Sequence, residues 1–396
     1  MNAEPAIAPE LVTLGWGTAA QTALRAANLT PEGATSVGRV VRLDRGEVTV
    51  ALGHRELRAF TPTTGLAVGD WVLVDQRDGA DANAVVLGSA RRWSTLARRA
   101  AGEGLAAQVV AANVDVVLCV HSLTRPLNAR RLERELVTAH AAPAAPIVVL
   151  NKCDLADGAT QKRATKYAHK LAADTPVVAI SATSGVGLDA LTELILAHPD
   201  DPAAPASNPT VVMLGASGVG KSRLLNALTG SSTAAVGTVR DADQKGRHTT
   251  THSSLFPLPS GGVMIDTPGV RALGLWDAAG AIEAAFGDIA KLADTCRFRD
   301  CRHTDEPGCA VQDAVLDGSL SIDRLAAFVT LTAELAELDR SRDEQRWNRG
   351  EGVRAPRRSR TRAARATHRP DDDGPDDDAR EVRDADGIDG DSGPRA

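Results

Sequence analysis

Aromatic residues are scarce in this chain: five Trp, five Phe and one Tyr make up 3% of 396 residues. Its cores must therefore be built from Val, Leu, Ile and Ala, and total apolar content is an ordinary 43%. Long apolar runs are missing as well. No stretch approaches the roughly 20 residues that a bilayer-crossing helix needs, and the first residues lack the basic-then-apolar order of a secretion signal. The expectation is a soluble, cytoplasmic protein with no membrane partner. Cysteine is limited to five, an odd number, so ligand chemistry in a reducing compartment is expected rather than a disulfide framework. Net charge is only −6, which argues against a nucleic-acid binder until its distribution is considered. Residues 354–369 are strongly basic and residues 371–391 strongly acidic, so the acidic tract masks basic regions elsewhere. No internal repeat is evident.

What is present is organised around one stretch: Gly215, Ala216, Ser217, Gly218, Val219, Gly220, Lys221 and Ser222. It fits G-x-x-x-x-G-K-[ST] and lies between a β-branched run at 210–214 and a helical stretch at 223–228. Its glycines let successive backbone N–H groups turn inward around a di- or triphosphate. Lys221 reaches the β- and γ-phosphates, and the Ser222 hydroxyl takes a place on Mg²⁺.

Residues 1–35 form an Ala-rich N-terminal extension with a weak helical signal at 11–29. From Ser36 the period changes. Short strands at 37–43, 47–52, 56–60, 70–75 and 83–87, separated by turn signals, predict a small all-β Greek-key barrel such as the OB-fold over 36–90. Arg39, Arg42, Arg55 and Arg58 would decorate it, either as a solvated face or as a nucleic-acid surface. A basic linker follows at 91–99. Strand runs at 114–120, 146–150, 176–180, 211–214 and 262–265 alternate with helical ones at 128–140 and 188–197. That alternation predicts an α/β domain with a mostly parallel, doubly wound sheet over 91–280. Residues 281–340 read as a mostly helical module, with helices at 281–292, 311–316 and 322–338. Residues 341–396 read as a disordered tail whose basic half is a candidate RNA-touching arm.

Further motifs fall at the carboxyl ends of the predicted strands. Asn151, Lys152, Cys153 and Asp154 give N-K-x-D. A carboxylate at Asp154 accepts from guanine N1–H and N2–H₂, a pair of donors that adenine lacks. A buried acceptor left unpaired costs about 1–3 kcal/mol, which is the source of base selectivity. Lys152 can lay its stem along the base plane. Ser181 and Ala182 open an S-A-T loop whose backbone N–H can meet guanine O6. In D-T-P-G, Asp266 is placed to hold Mg²⁺ through water and the Gly269 N–H to contact the γ-phosphate. Between these lies G-R-H-T-T-T at 246–251. A hydroxyl there, with Thr250 the candidate, can close onto Mg²⁺ when the γ-phosphate is present. Val270 stands where many GTPases have a water-orienting Gln, so slow intrinsic hydrolysis is expected. His248 is the candidate substitute; the alternative is an exposed loop histidine.

These motifs occur in the order N-K-x-D, S-A, P-loop, Thr switch, D-T-P-G, whereas the usual order begins with the P-loop. The same sheet can be built from either order if the termini are cut elsewhere, so the pattern describes a circularly permuted P-loop GTPase. The second switch, 266–276, then runs directly into the C-terminal module. In that module Cys296, Cys301, His303 and Cys309 form C-x4-C-x-H-x5-C. Three thiolates and an imidazole suit one tetrahedral Zn²⁺. The intervening residues are charged and turn-rich, so a structural metal would supply stability that packing does not. Cys119 reads as a packing residue.

On N-K-C-D, G-A-S-G-V-G-K-S, G-R-H-T-T-T, D-T-P-G-V-R-A-L-G-L-W and C-R-F-R-D-C-R-H-T-D-E-P-G-C, the chain resembles the ribosome small-subunit-dependent GTPase A family over about 36–338. The resemblance implies an OB-fold, a circularly permuted GTPase domain and a C-terminal zinc domain. It further implies a late-stage assembly factor of the 30S subunit that contacts its rRNA. GTP would be hydrolysed to GDP under stimulation by that subunit, with His248 in the catalytic position and Lys221 assisting. Nothing suggests more than a monomer. The rival reading is a guanine-nucleotide-gated RNA-binding protein with negligible turnover. The charged tail and Ala-rich start depart from the family pattern.

Overall fold

The computed structural model describes residues 9–44, 47–53, 55–62, 64–76, 84–99, 107–172, 174–197, 208–230, 253–267 and 280–348. The chain begins with a short 3-10 helix, Pro9–Leu14, and helix α1, Thr18–Ala26. A single helix over 11–29 does not form, because Gly15 lies between the two pieces at φ +86°, a conformation that helical residues cannot adopt. Leu11, Leu14 and Leu24 are buried, so the described part of the extension, from residue 9 on, is packed.

Alternating Val and polar residues then give β1 (Thr35–Asp44), β2 (Glu47–Ala51), β3 (Glu56–Phe60), β4 (Trp71–Asp75) and β5 (Ala84–Ser89). They pair in the order β1-β2-β3-β5-β4, and β4 returns to β1. The result is a closed five-stranded barrel with OB-fold connectivity around Val40, Val48, Val50, Val72, Val74 and Val86. Closure removes free edges from a small sheet whose core has no aromatic bulk.

The basic stretch at 91–99 is not a linker. It carries β6 (Thr95–Arg99), which pairs antiparallel with β7 (Ala107–Ala112). Next come β8 (Val116–Ser122), α2 (Ala129–Ala141), β9 (Ala145–Asn151), α3 (Gly158–Ala172), β10 (Val177–Ala179), α4 (Leu188–Leu196), β11 (Thr210–Leu214), α5 (Lys221–Thr229), β12 (Ser254–Pro257) and β13 (Val263–Asp266). The order β10-β9-β8-β11-β13 is parallel throughout, and β12 lies antiparallel on β13. In β8, Val117 and Cys119 face one apolar layer while Val116, Leu118 and Val120 face the other. Burial on both faces is what a helix-covered parallel sheet requires.

Strand β12 also touches the barrel, with Arg42 of β1 opposite Ser254, so barrel and parallel sheet form one continuous sheet. Beside this junction sits Arg39. Its expected surface position is wrong: it is 0% exposed, while Arg42 and Arg58 do face solvent. Arg39 Nε donates to Gly69 O at 3.2 Å, Nη2 to Thr210 Oγ1 at 2.7 Å, and Nη1 to Leu14 O. Its guanidinium also lies 5.1 Å from the Trp71 ring centroid. Burial lowers its pKa to about 10, against the opposing pull of Asp115 and Asp70. One side chain thus ties extension, barrel and the strand that leads to the P-loop.

The C-terminal module comprises α6 (Ala281–Ala285), α7 (Gly287–Ala293), α8 (Ala310–Leu316) and α9 (Ile322–Asn348). The single helix expected at 281–292 is broken at Phe286, whose φ of −118° interrupts the helical path. Helix α9 continues ten residues beyond the expected 338, helped by the i,i+3 pairs Arg340–Glu337 and Arg342–Asp339. It docks on α2. Arg324 of α9 is buried over the Phe286 ring at 4.1 Å and pairs with Glu133 at 2.9 Å and Asp288 at 2.9 Å. Arg134 makes a two-bonded pair with Glu334, at 2.7 Å for each bond.

Replacing Arg39 by Met should leave Leu14 O and Thr210 Oγ1 without the Arg39 donor and Gly69 O with only the Asn113 amide, and the midpoint of thermal unfolding should fall by roughly 5–10 °C. The exposed Arg58→Met change, measured by the same calorimetry, should leave the midpoint within about 1–2 °C.

Candidate nucleotide site and metal cluster

The P-loop joins β11 to α5, as its sequence context requires. Two of its glycines are enforced by contact. Gly215 has φ +143° and a Cβ there would stand 2.4 Å from Val120 O; Gly220 has φ +100° and a Cβ would stand 2.5 Å from Asn151 Nδ2. Lys221 Nζ donates to Gly215 O at 2.8 Å and Ala216 O at 2.9 Å, which folds its ammonium over the loop.

Asn151, Lys152, Cys153 and Asp154 follow β9, next to the P-loop although they precede it in the chain by more than sixty residues. Asn151 is 2% exposed and works as a clasp. Its Nδ2 donates to Val219 O at 2.9 Å, and its Oδ1 accepts from Lys152 N at 2.7 Å and Ala182 N at 3.1 Å. One amide therefore joins N-K-x-D, the S-A loop and the P-loop. Lys152 adopts the left-handed conformation at φ +65° and its Nζ donates to Gly218 O at 2.7 Å, a second bridge across the same gap. Cys153 is buried, whereas the Asp154 carboxylate is exposed and available to a ligand. Ser181 is buried; its Oγ accepts from Ser184 N at 3.1 Å, which shapes the turn that presents Ala182.

Asp266 ends β13, the strand beside β11. Burial raises its pKa, and the Lys221 ammonium opposes that rise without reversing it. Ser222 is exposed at the start of α5. The structure thus brings together the P-loop, N-K-x-D, S-A and Asp266 at one end of the parallel strands. His248, Thr250 and Gly269 lie outside the described residues, as do the acidic and basic tracts of the tail.

In the C-terminal module Cys296, Cys301, His303 and Cys309 place their ligand atoms within 4.8 Å of one another. Cys296 Sγ is 4.0 Å from Cys309 Sγ and 3.7 Å from His303 Nδ1, and Cys309 Sγ is 3.4 Å from that nitrogen. A tetrahedral zinc with ordinary bond lengths needs S···S of roughly 3.8 Å and S···N of roughly 3.6 Å. The donors fit a metal ion. Burial lowers the pKa of His303, which favours the neutral ring that a ligand must be.

Sequence reasoning placed Glu306 among unremarkable turn residues and missed its part. Its carboxylate accepts from Arg302 N at 2.9 Å, Thr304 N at 3.0 Å and Asp305 N at 3.3 Å, while His303 sits between them at φ +59°. Those backbone donors form an anion-holding concavity and hold the Glu306 pKa down at about 2. The ligand loop is thereby shaped by a carboxylate of its own. A lone Glu three residues after a ligand His was the available signal.

With this geometry, the comparisons decide the family. A family profile described as RsgA GTPase matches residues 89–276. The small ribosomal subunit biogenesis GTPase RsgA of Streptomyces coelicolor is 42% identical over 309 residues, covering 75% of this chain and 80% of that protein. The chain belongs to the RsgA GTPase family. The protein of the same name from Methanosarcina acetivorans is 42% identical over 272 residues, 68% of this chain and 69% of that one. Among solved structures, YjeQ from Thermotoga maritima superposes with a TM-score of 0.56 at 26% identity, covering 76% of this chain and 99% of that chain. YloQ, described as a circularly permuted GTPase, gives 0.54 at 24% identity over 76% and 96% of the two chains, which bears on fold alone. The permuted GTPase fold expected from the motif order is the fold of this chain.

Removing the Asn151 clasp should expose what it holds. In Asn151→Ala, amide hydrogen exchange at Lys152 and Ala182 should accelerate by at least about tenfold, with core β8 amides unchanged.

Proposed function

We propose that this chain is a GTPase of small ribosomal subunit biogenesis, binding the 30S particle and its rRNA with GTP and leaving it after hydrolysis to GDP. The observation that carries the reading is the joining of phosphate loop and base-reading loops through Asn151 in a chain of the RsgA GTPase family. The curated relatives bear the name small ribosomal subunit biogenesis GTPase. P-loop amides would cradle the phosphates, and Lys221 would exchange its bonds to Gly215 and Ala216 for phosphate oxygens. Asp154 would read guanine, with the Ala182 N–H exchanging its bond to Asn151 Oδ1 for guanine O6 and Lys152 lying along the ring. Ser222, Asp266 and Thr250 are the assigned holders of Mg²⁺, which would supply charge neutralisation between phosphates. Gly269 would donate to the γ-phosphate, and His248 would place the attacking water once the particle is bound.

Zn²⁺ is the metal assigned to Cys296, Cys301, His303 and Cys309, in a structural role, since all four positions of a tetrahedron are filled by protein. No helix among the described residues is long and apolar enough to cross a membrane. The protein is assigned to the cytoplasm, as a monomer.

The test is GTP turnover by the chain alone, with 30S and with 50S subunits. Turnover should be slow alone, rise by orders of magnitude with 30S only, and lose that stimulation in His248→Ala, in line with about 10²–10⁴ for a positioned general acid–base group. Absence of stimulation by either subunit would leave the rival, a guanine-nucleotide-gated RNA binder. Chelation of the metal should release one equivalent of Zn²⁺ and lower the unfolding temperature; release of none would reject the metal assignment.

A further inference from the structure

Asn151 and Lys152 are not the only side chains that cross from one loop to the other. Arg223 is the residue after Ser222, on the exposed first turn of α5. Its Nη1 donates to Thr183 Oγ1 at 3.1 Å, and Thr183 directly follows Ser181 and Ala182 in the base-reading loop. Lys152 crosses from N-K-x-D to Gly218. Two cationic side chains thus span the gap between P-loop and base-reading loops at two different points. A nucleotide with phosphates on Gly215 to Ser222 and a base at Asp154 would span this gap, with its nucleoside near both bridges.

A purine held in such a slot gains from a flat partner on each face. The loops that build this slot hold no aromatic residue: none occurs in 151–155, 181–187 or 215–223. Lys152 offers an aliphatic stem for one face. Arg223 offers a planar, weakly hydrated guanidinium, which stacks on rings and still has N–H groups to donate to Thr183 or to a ribose hydroxyl.

We infer that Arg223 is a nucleoside-retaining residue of this site, closing the slot on the side that the Lys152 stem leaves open. The inference rests on the guanine-nucleotide reading above. Because the contact is with the nucleoside and not with the γ-phosphate, it slows release of the di- and triphosphate alike.

The test is the dissociation rate of mant-GDP and of mant-GMPPNP from the full chain with Mg²⁺, chased by unlabelled GDP. Arg223→Ala should accelerate both by the same factor, roughly three- to tenfold. Arg223→Lys keeps the charge without the plane and should recover less than half of that loss. Unchanged rates would overturn the inference, as would acceleration confined to the triphosphate analogue or full rescue by Lys. If the wild-type chain binds neither fluorescent nucleotide, the guanine-nucleotide reading itself falls.

Discussion

The nucleotide site depends on one buried amide. N-K-x-D and the P-loop lie more than sixty residues apart in the chain, so no short covalent path sets their spacing. Asn151 replaces that path with three hydrogen bonds, to Val219, Lys152 and Ala182. The bond to Val219 is buried and the other two are partly so, where hydrogen bonds are strong and leaving one unmade is costly. Close approach is possible only because Gly220 brings no Cβ toward the amide. The strand order does the rest, setting β9, β8 and β11 side by side so that their carboxyl ends share one edge.

The same economy of connections holds the flanking modules. Arg39 anchors the barrel and the N-terminal extension to Thr210, at the start of the P-loop strand. Three successive residues of α2 face three partners: Glu133 meets Arg324, Arg134 meets Glu334, and Glu135 meets His121 at the end of β8 at 2.9 Å. His121 follows Val120, whose carbonyl touches the P-loop at Gly215. The C-terminal module is therefore packed on the same helix that braces the strand beside the P-loop. This contact is additional to the covalent run through the second switch, and it seats the module that carries the Cys/His cluster on the nucleotide domain.

Much of this was legible in the sequence because it is written locally. The P-loop, N-K-x-D and the Cys/His cluster are short patterns whose residues act within one turn. The barrel strands follow from a period of two. What was missed depends on distant partners. Arg39 looks like any barrel arginine until Thr210 and Leu14 are folded around it. Strand β6 is basic and short, so only its pairing with β7 reveals it. Helix α3 had no forecast because its buried face is no wider than Ala168, Leu171 and Ala172. The end of α9 was placed too early because its last turns are charged and rest on i,i+3 pairs instead of a core.

The central claim is that the permuted loops form one guanine site read by the exposed carboxylate of Asp154. Its most direct test is competition of GTP, XTP and ATP for bound mant-GDP, in the wild type and in Asp154→Asn. A carboxylate accepts from the N1–H and N2–H₂ of guanine, whereas an amide offers an N–H to the O2 of xanthine. The wild type should prefer GTP over XTP and ATP, and the variant should reverse the first preference, in keeping with about 1–3 kcal/mol per mismatched buried group. Equal binding of all three by the wild type, or a variant that still prefers GTP, would contradict the account.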